Sequence, residues 1–172
     1  YKIRKDFPIL GKKVNNTDLI YFDNAATSQT PNQVIDAISN YYKENNSNIH
    51  RGLHSLSADA TNKYENSRSI IKNHFGAAHE HEIIFTSGTT HGINIISSGL
   101  EKFISSKDEL IVSEMEHHSN IVPWQMLCEK TGSKLKVIPI NDDGTLNIEK
   151  YRLLLTPNVK FVFINHVSNT LG

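Results

Sequence analysis

The sequence predicts an α/β domain with a mostly parallel sheet flanked by helices. Three observations lead there. From residue 82 onward, short apolar runs alternate with stretches of helical period, as expected when helices form the crossovers of a parallel sheet. The runs Leu110-Ile111-Val112 and Phe161-Val162-Phe163-Ile164 are unbroken by polar residues, which suits buried strands. Each run gives way to a polar, turn-prone connection, as strand exits do at a ligand crevice.

In chain order, residues 1–19 are charged and irregular, with Phe7, Ile9 and Leu10 as anchors for another part of the protein. Leu19-Ile20-Tyr21-Phe22 reads as a short strand that ends in the small residues Asn24-Ala25-Ala26-Thr27. Thr30-Pro31 marks a helix start, with a capping hydroxyl and proline at the first helical position. Val34, Ile35, Ile38, Tyr41 and Tyr42 then recur at helical spacing. A second helix is expected from Ser57 or Ala58, with Ala60, Tyr64, Ile70, Ile71 and Phe75 as its stripe and Gly76 as its stop.

Glu82-Ile83-Ile84-Phe85-Thr86 reads as a strand. Ser87-Gly88-Thr89-Thr90 then turns into a helix carrying Ile93, Ile96, Leu100 and Phe103. Strand 110–112 leads through the polar stretch 113–121 into a helix that reaches Thr131-Gly132. A strand at 134–140, a turn at 141–144, a helix ended by Thr156-Pro157 and a strand at 161–164 complete the chain. Right-handed crossovers place parallel strand exits along one edge. Residues 86–90, 114–119 and 165–169 should therefore share a crevice.

Bulk composition narrows the function. The chain has 172 residues, enough for one ordinary domain with a core. Eighteen basic and 18 acidic residues cancel, so nothing favours nucleic acid or an anionic membrane. A single cysteine excludes a disulfide framework and a four-cysteine zinc site. No apolar run reaches the roughly 20 residues needed to span a bilayer. Without a charged-then-apolar leader, a cytoplasmic protein is expected. The first residue is Tyr1, and Gly172 closely follows a strand, so a fragment is also expected.

Ser87-Gly88-Thr89-Thr90 has the composition of a phosphate cradle: a glycine for the turn, outward amides, two hydroxyls and a helix's positive end. It lacks the endings of a nucleotide P-loop and of a dinucleotide fingerprint, so a single phosphate monoester fits best. His117 and His118 are neighbours on an extended exit and diverge, so one faces the crevice while the other packs behind it. A metal would need ligands drafted from His50, His54 and Glu116, but Gly52 interrupts the rigid helix such a pair requires; no metal is expected. Asn169 can donate to or accept from a ligand hydroxyl. Cys128, among Trp124, Met126 and Leu127, reads as a small buried hydrophobe.

Five strings carry more information together. They are Tyr21-Phe22-Asp23-Asn24-Ala25-Ala26-Thr27-Ser28-Gln29, Asn48-Ile49-His50-Arg51-Gly52-Leu53-His54, Phe85-Thr86-Ser87-Gly88-Thr89-Thr90, Ser113-Glu114-Met115-Glu116-His117-His118-Ser119-Asn120-Ile121-Val122-Pro123-Trp124-Gln125, and His166-Val167-Ser168-Asn169-Thr170-Leu171-Gly172. In this order they resemble the class V aminotransferase-type enzymes that use pyridoxal 5'-phosphate (PLP), and within them the Suf-type cysteine desulfurases. The resemblance implies a fold-type I PLP-dependent transferase. Residues 20–172 would form the N-terminal part of its large domain, and residues 1–19 would dock on the small domain.

The same resemblance implies roles. Thr89 and Thr90 would bind the cofactor phosphate, His117 would stack on the ring and move protons, and Asn169 would meet the ring hydroxyl. Ala25 and Ala26 would lie beside the substrate, with His50 and Arg51 near the mouth or a dimer partner. The implied reaction converts L-cysteine to L-alanine and leaves persulfide sulfur for iron–sulfur cluster assembly, in a homodimer that hands sulfur to a Suf-type acceptor protein. The family's cofactor-bonding lysine follows a Ser-Gly-His-Lys string, and its nucleophilic cysteine lies later; neither occurs in residues 1–172. An N-terminal fragment, inactive alone, is therefore expected. The alternatives are a selenocysteine lyase or another class V relative, and a non-catalytic binding module if the chain ends at Gly172.

Overall fold

A buried strand organises the C-terminal half of the molecule. In the computed structural model, which describes residues 2–172, every residue of Glu109–Ser113 is buried. Contacts divide the chain into two units, Tyr1–Phe85 and Thr86–Gly172.

The N-terminal unit begins with two turns of 3₁₀ helix, Ile3–Asp6 and Pro8–Gly11. A small antiparallel hairpin follows, pairing β1 (Lys13–Val14) with β2 (Thr17–Asp18). Asn15 and Asn16 connect the two strands at φ 50° and 63°, the left-handed pair that a two-residue hairpin turn requires and that asparagine tolerates. Helix α1 (Asn32–Asn40) runs into a π turn at Tyr41–Asn45. Helix α2 (Ser55–Phe75) ends at Gly76 in the left-handed conformation, where the Ala77 amide donates to Lys72 and the Gly76 amide to Asn73.

Several expectations for this unit need correction. Leu19-Ile20-Tyr21-Phe22 is not a strand. The Leu19 amide bonds to Lys12 O beside the hairpin, while Ile20 and Phe22 are 74% and 92% exposed, so no ladder or packed face sustains an extended segment. Strand pairing falls instead within residues 1–19, where irregular chain was expected. Glu82-Ile83-Ile84-Phe85-Thr86 is not a strand either. The Glu82 carboxylate accepts the His79 amide, which closes a 3₁₀ turn at Glu80–Glu82. Ile83 is extended, but its carbonyl accepts from Arg68 in place of a strand partner.

The first helix starts one residue later than expected, with Pro31 at the N-cap and no side-chain cap from Thr30. Its apolar positions Val34, Ile35 and Ile38 are exposed, as are Tyr42 of the π turn and Ile70 and Phe75 of α2. Helix α2 starts earlier than expected because the His54 ring accepts the Ser57 amide at 3.3 Å and caps it. Histidine is not among the side chains that signal a cap in a sequence.

The C-terminal unit matches its sequence pattern closely. Helix α3 (Thr89–Leu100), strand β3 (Glu109–Ser113), helix α4 (Val122–Thr131), strand β4 (Lys134–Ile138), helix α5 (Ile148–Leu154) and strand β5 (Val159–Phe163) alternate as expected. The sheet order is β4–β3–β5 and both pairings are parallel, with Val112 opposite Val137 on one side and Phe163 on the other. Leu110 and Val112 form the core with Ile104, Trp124, Leu127 and Cys128, and Ile93, Leu100, Leu135, Phe161 and Phe163 pack around them. Ile96 and Phe103, expected on the buried stripe of α3, are exposed. The Trp124 and Phe163 rings stack 3.6 Å apart with 6° between their planes.

Two terminal devices hold the alternation in place. Gly132 leaves α4 at φ 74°, and the Asn147 side chain caps α5 by accepting the Lys150 amide at 2.9 Å. At the start of β3, Glu109 pairs with Lys136 at 2.7 Å and accepts from Thr156 at 2.7 Å, so one side chain ties three segments. Those hydrogen bonds, Lys136 first and Thr156 second, hold its carboxyl below the usual glutamate range.

Candidate active site

Parallel strands and right-handed crossovers bring polar loops to the carboxyl edge of a sheet. Here the residues leading into α3, the β3–α4 connection and the exit of β5 line one crevice of about 1050 Å³. Thr89, Thr90, His117 and Asn169 are all among its lining residues. His118 and His166 are not, so the structure separates the two adjacent histidines that the sequence left open.

The first wall is the start of α3. Gly88 sits at φ 147° and ψ 174°, a backbone region closed to side chains, and a Cβ there would meet nothing within 4 Å. The requirement for glycine is therefore one of backbone conformation. No side chain caps the helix, and the first helical bond is the Gly92 amide to Gly88 O. Among the described residues the Thr89, Thr90 and His91 amides have no hydrogen-bond acceptor. Three free amides, two exposed hydroxyls and the helix's positive end form an anion-binding concavity. His91 also lines the crevice and holds the preceding turn: its Nδ1 accepts the Ser87 amide at 3.2 Å and lies 3.0 Å from the Ser87 hydroxyl.

The second wall is the β3–α4 connection. His117 precedes a 3₁₀ turn, His118–Asn120, and caps it: Nδ1 accepts the Ser119 amide at 3.1 Å and lies 2.9 Å from the Ser119 hydroxyl. With Nδ1 accepting, the proton of the neutral ring sits on Nε2. Glu116 is 8% exposed and fully partnered. Its carboxylate accepts from the Ser113 hydroxyl at 2.5 Å, the Asn120 side-chain amide at 2.7 Å and the Asn165 backbone amide at 2.9 Å.

The third wall is the exit of β5. Ser168 is buried and its hydroxyl accepts the Thr170 and Leu171 amides, both at 3.1 Å, which shapes the turn that presents Asn169. Asn169 is exposed, and among the described residues its only side-chain hydrogen bond is a long one to Thr170 at 3.4 Å.

Ala25, Ala26, His50 and Arg51 belong to the N-terminal unit. Ala25 and Ala26 lie on an exposed turn closed by the Thr27 amide to Asp23 O. His50 has φ 66°, its amide donates to the Thr61 hydroxyl at 2.9 Å, and its ring approaches Glu65 at 3.3 Å. Arg51 is exposed. Among the described residues no group of three or more His, Cys, Asp and Glu side chains is arranged to hold a metal ion. Cys128 is buried in the core, and that burial pushes its thiol up from the ordinary range, the opposite of nucleophilic activation.

The residues that sequence reasoning missed here are Glu116 and His91. Glu116 entered only as a spare metal ligand, yet its spacing three after Ser113 and four before Asn120 suits a local hydrogen-bonding hub. His91 stands four residues after Ser87, one helical turn away.

The Aminotransferase class-V family pattern matches residues 20–172. The chain belongs to that family. Relatives from Salmonella newport (strain SL254) and Salmonella typhi, each named cysteine desulfurase, are 49% identical over 173 residues, covering 99% of this chain and 42% of the relative. Among solved structures, the apo cysteine desulfurase of Thermococcus onnurineus NA1 superposes with TM-score 0.89 at 40% identity over 99% of this chain and 41% of that one. The cysteine desulfurase CsdA of Escherichia coli superposes with TM-score 0.76 at 30% identity, over 94% and 39%. The chain thus spans about two-fifths of the length of the relatives it matches, and over that span it has the α/β fold of the cysteine desulfurases.

Proposed function

We propose that the full-length protein carrying this chain is a Suf-type cysteine desulfurase that uses pyridoxal 5'-phosphate. The observation that carries the reading is the crevice itself. An uncapped helix start with two threonines, a histidine with its proton on the free nitrogen and an uncommitted asparagine amide line one cavity. These groups fit the cofactor. The Thr89, Thr90 and His91 amides with the two threonine hydroxyls suit a phosphate monoester dianion, and Asn169 suits a ring hydroxyl. When bound, the cofactor supplies an electron sink for electrons released at the substrate's α-carbon.

The chain's own residues do the rest of the work assigned to this region. His117 carries its N–H at Nε2 as a hydrogen-bond donor, fixed in tautomer and direction by Ser119 at Nδ1. The aromatic and aliphatic core beneath the crevice keeps the three walls in register. In the overall reaction the Cβ–S bond of L-cysteine breaks, an S–S bond forms to a protein thiol, and a proton at carbon completes L-alanine. That thiol is not Cys128, whose burial and raised pKa oppose attack. The nucleophilic cysteine and the cofactor-bonding lysine lie outside residues 1–172.

Relatives named cysteine desulfurase at 49% identity support L-cysteine over a selenium analogue as substrate. On this reading residues 20–172 form part of the large PLP-binding domain and residues 1–19 dock on the small domain. Ala25 and Ala26 lie beside the substrate, and His50 and Arg51 serve the mouth or the partner of a homodimer. Persulfide sulfur passes to a Suf-type acceptor for iron–sulfur cluster assembly in the cytoplasm. The test is direct: full-length protein supplied with PLP should develop a visible cofactor band and release L-alanine and sulfide from L-cysteine plus a thiol reductant. A protein that takes up no PLP, or forms no alanine, contradicts the proposal.

A further inference from the structure

We propose that Glu116 is a positioning residue that locks two walls of the crevice together and thereby sets His117 against Asn169. The inference rests on the cofactor reading above for its effect on turnover, but the lock itself stands on geometry. Glu116 precedes His117, and its Oε1 accepts both the Ser113 hydroxyl at 2.5 Å and the Asn165 backbone amide at 2.9 Å. Ser113 ends β3, whereas Asn165 lies beyond the end of β5, four residues before Asn169. Oε2 accepts from the Asn120 side-chain amide at 2.7 Å, and Asn120 Oδ1 in turn accepts the Trp124 indole N–H at 2.9 Å. Trp124 stacks on Phe163, the last residue of β5, so the two strand exits are joined twice: by ring stacking in the core and by the carboxylate at the crevice edge.

Three donors, from Ser113, Asn120 and Asn165, point at Glu116, and a carboxylate is the side chain of this length that accepts at both ends. The Asn165 amide lies past the β5 ladder, and Glu116 gives it the acceptor that a neighbouring strand would otherwise supply. A glutamine at 116 keeps the shape but only one acceptor, so its own amide must face either the Asn120 amide or the Asn165 amide. With Asn120 held by Trp124, the clash is relieved by releasing Asn165. The two loops then separate where His117 and Asn169 must be held.

Two variants of the full-length protein test this. Glu116→Gln should speed amide hydrogen exchange at Asn165 by about ten-fold or more relative to wild type. It should also reduce the induced visible circular dichroism of bound PLP and lower kcat by roughly ten- to hundred-fold, with KM for L-cysteine held within about three-fold. Glu116→Gln combined with Asn120→Asp restores the donor and acceptor order. The amide introduced at position 116 donates to the carboxylate introduced at position 120, while its oxygen still accepts from Ser113 and Asn165. The double variant should recover slow exchange, the dichroism and most of kcat. If the single variant leaves all three readouts within about two-fold, or the double variant folds yet recovers none of them, the proposal is overturned. Should Glu116→Gln alone fail to fold, recovery by the double variant decides the matter. Exchange at Asn165 in cofactor-free protein tests the lock even if the wild type proves not to bind PLP, which would count against the functional reading alone.

Discussion

His117 Nδ1 accepts the backbone amide of Ser119 at 3.1 Å and lies 2.9 Å from its hydroxyl, so the residue two positions on fixes both the tautomer and the direction of the ring. Ser119→Ala removes the hydroxyl and leaves the amide. We expect kcat of the full-length enzyme to fall by about three- to ten-fold with KM little changed, because orientation is loosened and binding is not. Steady-state kinetics with L-cysteine checks this. A larger change in KM than in kcat would assign Ser119 to substrate binding.

At Gly88 the backbone conformation alone demands glycine, since a Cβ would have open space around it. Gly88→Ala should therefore cost about 1–3 kcal/mol of local strain, relieved by turning the Thr89 and Thr90 amides away from the cradle. PLP affinity should drop by about ten-fold or more while the protein stays folded. Equilibrium titration of apo-enzyme with PLP gives the answer.

Cys128→Ala probes the one thiol in the chain. Its burial predicts turnover within about two-fold of wild type and a loss of roughly 1 kcal/mol in urea unfolding, from the small cavity left beside Trp124 and Leu127. Loss of persulfide formation in this variant would reassign the nucleophile.

Glu109 supplies a pH dependence. Its folded pKa is depressed by Lys136 and Thr156, so the stability it contributes is fully present above the ordinary glutamate range and is lost as pH falls through the lower folded value. As pH falls below the ordinary glutamate range, urea midpoints of wild type should drop more steeply than those of Glu109→Gln, which should be less stable near neutrality. Parallel acid limbs in the two proteins would contradict the assignment.

The sequence made the C-terminal unit legible because its strands and helices carry their own signals. Leu110 to Val112 is apolar throughout, Gly132 and Asn147 mark helix ends, and the crevice follows from topology. The resemblance separated His117 from His118 where composition left them equal, and the crevice lining makes the same distinction. The N-terminal unit was less legible. Leu19 to Phe22 has strand propensity, but a strand exists only with a partner, and periodicity does not report pairing. The stripe of α1 is amphipathic, yet Val34, Ile35 and Ile38 remain exposed, so periodicity marks an apolar face but not a packing partner. Glu116 was hidden for a different reason: its decisive partner, the Asn165 amide, is 49 residues away and has no side-chain signature.

The comparison that tests the account most directly is His117→Ala against His118→Ala in full-length protein loaded with PLP, assayed for L-alanine from L-cysteine. Only His117 lines the crevice, although the two rings lie 6.2 Å apart. The account predicts that His117→Ala lowers kcat by roughly a hundred-fold or more while His118→Ala stays within about three-fold of wild type. Equal losses in the two variants, or full activity in His117→Ala, would contradict it.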